Sequence, residues 1–279
     1  LKDKNIYLIP CLGFVSVILV GWIVLMLPTC NNGNVTPFDA LFTAVSATCV
    51  NGLTTVNLST EYSFWGQVTI AIITEIGAIG FVTFISFILS FKKKRMSLSE
   101  TLLLSSALND NHYGKLKQRL KEVIKYTIVI QIIGAILLAV DFIPRFGIKN
   151  GIWYSIFHSI TAFCNAGFDI IGDTSLEIFE KNIYVNIVFI ILMFLGSIGY
   201  FVIEDIISCI KKKRFIHINF HTKIVLTTSL IIYLISIILL KIAEPNLTWL
   251  EAVFTSVTAR TTGFSTINMA GTLPITKLI

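Results

Sequence analysis

The sequence predicts an all-α polytopic membrane protein built from tandem helix–pore loop–helix repeats. Three observations support this prediction. The chain has 279 residues, of which 54% are hydrophobic and only 14% charged, whereas soluble domains usually carry about 25% charged residues. Long apolar runs approach or exceed the roughly 20 residues that cross a bilayer; they cover residues 6–27, 64–91, 126–143, 183–203 and 224–240. Between these runs, a short glycine-bearing motif occurs three times.

Basic residues concentrate at the ends of the apolar runs, in clusters at 92–95, 115–125 and 211–214. Such clusters are typical of the cytoplasmic side of membrane proteins, so they account for the net charge of +6 without a nucleic-acid partner. We therefore predict a multi-pass protein of the cell membrane, embedded in the lipid bilayer, with a cytoplasmic N-terminus. The first run is longer than the apolar region of a signal peptide, about 7–15 residues, and is interpreted as a retained helix.

The glycine-bearing motif is an internal repeat. "FTAVSATCVNGL" at 42–53 aligns without gaps with "FHSITAFCNAGF" at 157–168. A third copy, "FTSVTARTTGF" at 254–264, has one residue fewer before its glycine. The helices that follow the first two copies share "IGAIGF" and "LGSIGY", and each is followed by "KKKR". Repeats of this kind decide the architecture of a chain.

The repeats predict the domain organisation. Repeat 1 covers 1–95, with a first helix at 6–27, a pore helix at 38–48, a filter at 49–54 and a second helix at 64–91. A cytoplasmic linker and repeat 2 cover 96–214, with the corresponding parts at 122–143, 152–163, 164–168 and 182–207. A partial repeat 3 covers 215–279, with a first helix at 222–241, a pore helix at 249–260 and a filter at 261–265. Each pore segment begins and ends outside, so it can enter the membrane without crossing it.

The interrupted stretches point to cation binding by backbone oxygens. Irregular backbone at membrane depth must be buried in protein or line a water-filled cavity. Glycine permits the close backbone approach that such a cavity wall needs, and a ring of carbonyl oxygens can replace the hydration shell of a cation. Pore helices whose negative C-terminal ends face the ring favour cations further. The predicted K⁺ ligands are the carbonyls of Cys49, Val50, Asn51, Gly52, Cys164, Asn165, Ala166, Gly167, Thr261, Thr262 and Gly263.

The stretches "SATCVNGL", "FCNAGF", "RTTGF" and "IGAIGF" resemble the filters and the glycine-rich helix of the Trk/Ktr/HKT potassium transporters. The chain is most similar to the Ktr-type membrane subunit, because no extra helices precede the first repeat. The resemblance implies a fold like that of potassium channel subunits, with four repeats in one chain. It also implies potassium uptake by a pore-forming subunit, and glycine in every visible filter resembles the potassium-selective members. Sodium dependence is left open.

The resemblance implies partners as well. The subunit is expected to form a homodimer and to bind a cytoplasmic ring of nucleotide-binding regulatory subunits of the RCK type. The basic clusters at 92–95 and 211–214 are well placed for that docking, but positive-inside topology and contact with lipid headgroups are the preferred explanation. The chain itself is expected to bind no cofactor, with K⁺ as the transported ion and Na⁺ as a candidate activator. The third repeat stops before its second helix, so the resemblance implies that the sequence is a fragment.

Three alternative functions share some of these sequence features. A sodium-permeable cation transporter of the same family would share the whole architecture. A secondary transporter with re-entrant loops would be expected to have inverted repeats and charged residues near the helix breaks, whereas both complete repeats here run in the same direction. An intramembrane enzyme would need paired catalytic groups within the spans, and the sequence shows none, so we predict that the chain is not an enzyme.

Several further polar residues have predicted roles. Glu75 is either a functional intramembrane carboxylate or a neutral group bonded within the helix bundle. His158 is interpreted as a packed, hydrogen-bonded spacer in the second pore helix, and Arg260 is expected to point away from the ion path and brace the third filter. The glycines at 77, 80, 196 and 199 are interpreted as helix-packing residues. The outer mouth is expected to be negative because of Asp39, Asp169, Glu244 and Glu251.

Overall fold

The structure is a computed structural model that describes residues 8–80, 116–172, 175–212, 218–268, 271–273 and 276. In these residues it is helical, and the only strand-like pairing is an isolated bridge between Asn31 and Tyr62. The α-helices are α1 (Leu8–Leu25), α2 (Pro37–Thr48), α3 (Leu58–Glu61), α4 (Phe64–Ile79), α5 (Leu116–Phe163), α6 (Ile183–Ser197), α7 (Tyr200–Lys212), α8 (Phe220–Ala243) and α9 (Trp249–Thr261), with a 3-10 turn at Glu177–Phe179.

Part of the predicted organisation lies outside the described residues. This holds for the end of the second helix of repeat 1, for the basic cluster at 92–95 and for most of the cytoplasmic linker. It also holds for the last two residues of the cluster at 211–214. The division into repeats therefore stays a prediction.

In the described residues, two helical stretches are long and apolar enough to cross a membrane, Lys121–Phe163 and Phe220–Ala243. The pair Ile183–Ser197 and Tyr200–Ile210 passes the same criteria together, but its two axes are bent by 106°. Cys11–Leu25 and Phe64–Ile79 are shorter apolar helices. Five spans were expected from hydropathy, and the predicted continuation of the run at 64–91 lies beyond the described part of α4.

The chain divides into two compact units, Leu1–Ile133 and Gly134–Ile279. In the first unit, α1, α2 and α4 pack against one another. The indole Nε1 of Trp22 donates to the carbonyl of Pro37 at 2.9 Å, which ties α1 to the start of α2. A Cβ added to Gly21 would lie 2.5 Å from Cδ1 of Ile73, so α1 approaches α4 closely at this glycine.

The second unit begins within α5, and the part of α5 in this unit reverses direction at Gly147, which has φ 80° and ψ 166°. A Cβ on Gly151 would lie 2.6 Å from Cα of Ile143, and one on Gly134 would lie 2.5 Å from Oγ of Ser159. The part after Gly147 therefore returns along the part before it. Elsewhere in this unit, α9 packs against both α6 and α8.

The second helix of repeat 2 is broken, although the sequence predicted one span at 182–207. α6 ends at Ser197 and α7 begins at Tyr200, with Gly199 between them at φ 84°. This left-handed backbone conformation, which glycine adopts without the penalty of a Cβ, explains the 106° bend. Gly80 occupies the equivalent position and ends α4 at φ 85°. Among the described residues, nothing lies within 4 Å of an added Cβ at Gly199, so these residues give no support to the packing interpretation there.

Candidate ion-binding segments

The candidate site consists of the stretches at the C-terminal ends of three short helices, which are α2, the part of α5 after Gly147, and α9. These stretches are segment 1 (49–52), segment 2 (164–167) and segment 3 (261–263), whose first residue is also the last residue of α9. The helices before segments 1 and 3 begin with the same device. Thr36 and Asp39 form a capping box at the start of α2, and Thr248 and Glu251 form one at the start of α9. Each box satisfies two backbone N–H groups that the helix itself leaves unpaired.

Segment 1 contains a left-handed residue directly after Cys49. Val50 has φ 56°; its N–H donates to the carbonyl of Ala47 at 3.2 Å, and the N–H of Asn51 donates to the carbonyl of Ser46 at 2.9 Å. This pair of bonds is the Schellman motif that terminates helices. Gly52 follows at φ 75°, so the backbone takes a second left-handed turn within three residues.

Segment 2 repeats this geometry. Asn165 has φ 59°; its N–H donates to the carbonyl of Ala162 at 3.1 Å, and the N–H of Ala166 donates to the carbonyl of Thr161 at 2.8 Å. Gly167 follows at φ 77°. The residues that align in the first two motif copies therefore also have the same backbone conformation: Val50 matches Asn165, and Gly52 matches Gly167.

Segment 3 is shorter by one residue, and the structure shows what is lost. α9 ends at Thr261, and Gly263 has φ 89°. The N–H groups of Thr262 and Gly263 both lie within reach of the carbonyl of Thr258, at 2.9 and 3.3 Å. Glycine itself is thus the left-handed residue that ends the helix, and no separate left-handed residue precedes it.

Segments 2 and 3 lie against each other within the second unit. A Cβ added to Gly167 would lie 2.9 Å from the carbonyl carbon of Thr262 and 3.3 Å from that of Gly263. The hydroxyl of Thr262 donates to Oδ1 of Asn165 at 2.9 Å. Of the predicted ligands, the structure therefore brings together those of repeats 2 and 3, while those of repeat 1 belong to the first unit.

Side-chain burial differs between the segments. In segment 2, Cys164 and Asn165 are both 8% exposed. In segment 3, Thr262 is buried and Gly263 exposed. In segment 1, Cys49 is exposed. No disulfide joins the five cysteines, all of which lie in the described residues, and no group of three metal-ligating side chains occurs in this part of the chain.

Gly77 of α4 and Gly196 of α6 contact the C-terminal ends of the short helices before segments 1 and 2. A Cβ on Gly77 would lie 2.9 Å from the carbonyl carbon of Thr48, and one on Gly196 would lie 2.8 Å from that of Phe163. Thr48 and Phe163 are the last helical residues before segments 1 and 2. The packing interpretation is thus confirmed for Gly77 and Gly196, which support equivalent points in the two repeats.

His158 is fully buried and bonded through both ring nitrogens. Nδ1 lies 2.7 Å from the carbonyl of Tyr154, and Nε2 lies 2.7 Å from Oδ1 of Asp169, two residues after Gly167. The ring of Phe264 stacks on the imidazole at a centroid distance of 6.1 Å. These contacts confirm that His158 is a packed, hydrogen-bonded spacer.

Arg260 turns towards α8. Its Nη1 donates to Oγ of Ser229 at 3.2 Å and to the hydroxyl of Tyr233 at 3.1 Å, and its guanidinium lies 5.5 Å from the centre of the Tyr233 ring. The side chain therefore braces the helix that ends at segment 3. In the first unit, Glu75 accepts a hydrogen bond from Nε2 of Gln131 at 2.7 Å, so it is bonded within the helix bundle.

The predicted acidic residues of the outer mouth all accept hydrogen bonds within the fold. Asp39 accepts from the hydroxyl of Thr55 at 2.6 Å, which connects the start of α2 to the chain beyond segment 1. Hydrogen bonds from the hydroxyls of Thr36 and then Thr55 hold the pKa of Asp39 below its usual value. Glu244 accepts from the N–H of Leu273 at 2.6 Å.

The sequence analysis assigns no role to the Ser or Thr directly before the alanine of each motif copy, but in two copies its hydroxyl contacts the chain beyond the glycine. Thr258 Oγ1 donates to the carbonyl of Phe264 at 2.8 Å, and Thr161 Oγ1 lies 3.2 Å from the carbonyl of Phe168. Each carbonyl belongs to the residue directly after a segment glycine. The recurrence of Ser or Thr at this position in all three motif copies was the available indication.

Comparisons with known proteins support a common family. The family model "TrkH: Cation transport protein" matches residues 14–279. The potassium/sodium uptake protein NtpJ of Enterococcus hirae is 39% identical over 268 residues, which cover 92% of this chain and 58% of NtpJ. Ktr system potassium uptake protein B of Bacillus subtilis is 34% identical, with 96% and 63% covered. The chain spans less than two thirds of the length of either relative.

The fold is similar to that of a solved transporter. The potassium transporter TrkH from Vibrio parahaemolyticus superimposes with a TM-score of 0.68 at 16% sequence identity, covering 96% of this chain and 53% of that one. This similarity confirms the predicted all-helical, polytopic membrane fold. Since the family model matches nearly the whole chain, the protein belongs to the TrkH family of cation transport proteins.

Proposed function

We propose that this chain forms most of the pore of a potassium-uptake protein of the cell membrane, and that segments 1, 2 and 3 are walls of its selectivity filter. One observation carries the proposal. Segments 2 and 3 follow short helices, turn at left-handed glycines, and approach so closely at Gly167 that a side chain there would overlap the backbone of Thr262. This is the backbone arrangement that a carbonyl-lined ion path needs.

The short helices add an electrostatic contribution. α2 and the second part of α5 end immediately before segments 1 and 2, and α9 ends at Thr261, the first residue of segment 3. The C-terminal end of a helix is equivalent to roughly −0.5 elementary charge. A dehydrated cation in the path is stabilised by these ends and by the carbonyl oxygens together. No covalent step is needed, so the proposed role is transport rather than catalysis.

The choice of ion rests on the relatives. Two of them are named potassium uptake proteins of Ktr systems, from Bacillus subtilis and Vibrio alginolyticus, and NtpJ is named a potassium/sodium uptake protein. We propose K⁺ as the main substrate, with Na⁺ either activating or sharing the path. A sodium-permeable transporter is the second candidate, favoured by the printed name of NtpJ.

The proposed assembly is a homodimer that binds a cytoplasmic ring of nucleotide-binding regulatory subunits, with the N-terminus of the chain in the cytoplasm. The names of the Ktr relatives support a membrane subunit that acts with other components. The positive-inside distribution of Lys and Arg supports the orientation.

Potassium uptake in a transporter-deficient host tests this function. The full-length protein that carries this sequence should restore growth at low K⁺ and take up K⁺ in preference to Na⁺. Gly167→Ala should reduce the K⁺/Na⁺ preference at least about tenfold, because a Cβ there forces the carbonyls of segments 2 and 3 to move. A tenfold change corresponds to a free-energy difference of ~1.4 kcal/mol. Gly172→Ala is the matched control, since no described residue lies within 4 Å of its added Cβ.

An unchanged ion preference in Gly167→Ala, at normal abundance in the membrane, would show that segment 2 is not a filter wall. Uptake of an organic solute that depends on an ion gradient would instead favour a secondary transporter with re-entrant loops. Equal K⁺ and Na⁺ uptake by the unmodified protein would favour the sodium-permeable alternative.

A further inference from the structure

The three motif copies share a hydroxyl residue directly before their alanine: Ser46, Thr161 and Thr258. We call these the motif hydroxyls. Resting on the proposed function, we propose that Thr258 and Thr161 are positioning residues that set the direction of the filter carbonyls in segments 3 and 2, and that Ser46 has no such effect on segment 1. Ion selectivity should therefore depend on the three equivalent hydroxyls in a graded order.

The contact is strongest in repeat 3. Thr258 Oγ1 donates to the carbonyl of Phe264 at 2.8 Å, and this buried bond joins the helix to the residue that follows Gly263. The side chain of Phe264 is 1% exposed, and its ring packs edge-on against that of Phe189 at a centroid distance of 5.2 Å. Both the carbonyl and the ring of the residue after the segment are thus held in place.

The contact is shared in repeat 2. Thr161 Oγ1 lies 3.2 Å from the carbonyl of Phe168, but it also lies 3.1 Å from that of Phe157 and 3.4 Å from that of His158. A hydroxyl has a single proton to donate, so its bond to the residue after Gly167 competes with two bonds inside its own helix. The anchoring of segment 2 by the hydroxyl is therefore weaker than that of segment 3.

The contact is absent in repeat 1. Ser46 is 4% exposed, and its Oγ has no hydrogen-bond partner among the described residues. Leu53, which follows Gly52, is 58% exposed, whereas Phe168 and Phe264 at the equivalent positions are both 1% exposed. Neither the hydroxyl nor the side chain after the glycine holds segment 1.

A hydrogen bond to the carbonyl of Phe264 or Phe168 restricts the backbone of the segment glycine directly before it. Gly167 and Gly263 precede the anchored residues, and glycine has the widest choice of backbone dihedrals. Fixing the next carbonyl removes much of that choice and so determines where the carbonyl of the glycine points. Because cation selectivity depends on the position, number and field strength of such oxygens, loss of the hydroxyl should change selectivity more than it changes transport capacity.

The experiment compares three matched substitutions in the full-length protein: Thr258→Val, Thr161→Val and Ser46→Ala, with Thr258→Ser and Thr161→Ser as conservative variants. The half-saturation concentrations for K⁺ and Na⁺ uptake and the amount of protein in the membrane are measured for each. Thr258→Val should lower the K⁺/Na⁺ preference about tenfold, as expected for loss of a buried hydrogen bond. Thr161→Val should lower it about threefold, because its bond is shared. Ser46→Ala and both Ser variants should match the unmodified protein.

An equal loss of preference in Ser46→Ala and Thr258→Val would overturn the inference, since a hydroxyl without a partner cannot position a carbonyl. Lower abundance in the Val variants with an unchanged preference would also overturn it, because the hydroxyls would then serve only folding. If Thr258→Val does not reach the membrane, the pair Thr161→Val and Thr161→Ser decides by the same criteria. Absence of K⁺ uptake by the unmodified protein would instead contradict the proposed function.

Discussion

Thr262 donates its hydroxyl hydrogen to Oδ1 of Asn165 at 2.9 Å, across 97 residues of sequence. Asn165 is the left-handed residue that ends the second short helix, and Thr262 caps the third. One side-chain hydrogen bond thus joins the two candidate filter walls of the second unit at the points where they leave their helices.

This bond should contribute a measurable coupling. We expect Asn165→Gly and Thr262→Val to destabilise the purified protein less together than the sum of their separate effects, with a coupling of about 1 kcal/mol. Glycine is chosen at 165 because it retains the left-handed backbone. Chemical denaturation in detergent measures the cycle, and strictly additive effects would mean that the bond does not form in solution.

Substitution of Gly77 and of Gly196 should lower the free energy of unfolding by similar amounts. Gly77→Ala and Gly196→Ala should each destabilise the fold by about 1–3 kcal/mol or more, because a Cβ at either position overlaps the backbone of Thr48 or Phe163. Thermal unfolding measures the effect, with Gly172→Ala as the control. A neutral result at either glycine would show that α4 or α6 does not contact the short helix as described.

We expect the fold to tolerate exchange of the pair His158–Asp169 for the residues at the equivalent positions of another repeat. The equivalent positions in repeat 3 are Thr255 and Ser265. His158→Thr alone should cost about 3 kcal/mol, because it leaves the largely buried Asp169 carboxylate with the N–H of Ile171 as its remaining hydrogen-bond donor among the described residues. The double variant His158→Thr, Asp169→Ser should be more stable than that single variant in thermal unfolding. A double variant that is less stable would mean that Asp169 is supported independently of the histidine.

The stability of the first short helix should depend on pH through Asp39, which lies outside the spanning helices. Its folded-state pKa is lowered by the hydroxyls of Thr36 and Thr55. A lowered pKa contributes stability that is present above the unfolded-state pKa of about 3.9 and is lost as the pH falls through the folded-state value. The stability difference between the unmodified protein and Asp39→Asn should therefore shrink below about pH 4. A constant difference down to pH 3 would contradict this account.

The sequence repeats predicted much of this arrangement. The copies of "FTAVSATCVNGL" identified the ends of the short helices and the segment glycines, because helix termination and left-handed turns have local signatures. The third copy has one residue fewer before its glycine, and the structure shows the different backbone that goes with it. Such features depend on neighbours in the sequence, which is why a single chain reveals them.

Other features depend on contacts that no local pattern encodes. The sequence indicates a packing role for Gly199, whereas the structure places it at a helix break. A glycine in an apolar helix is compatible with either role. The bond between Asn165 and Thr262 joins residues whose proximity only the tertiary fold creates. The differing partners of Thr258, Thr161 and Ser46 arise in the same way, because three similar residues acquire different neighbours.

The central claim is that a cation is bound by the backbone carbonyls of the three segments. The most direct measurement is an experimental structure of the full-length protein with Tl⁺ in place of K⁺, in which anomalous scattering identifies the ion. We expect ordered density beside the carbonyls of residues 49–52, 164–167 and 261–263, which weakens when Na⁺ replaces Tl⁺. Density located only elsewhere in the protein, with these carbonyls turned away from any ion, would contradict the account.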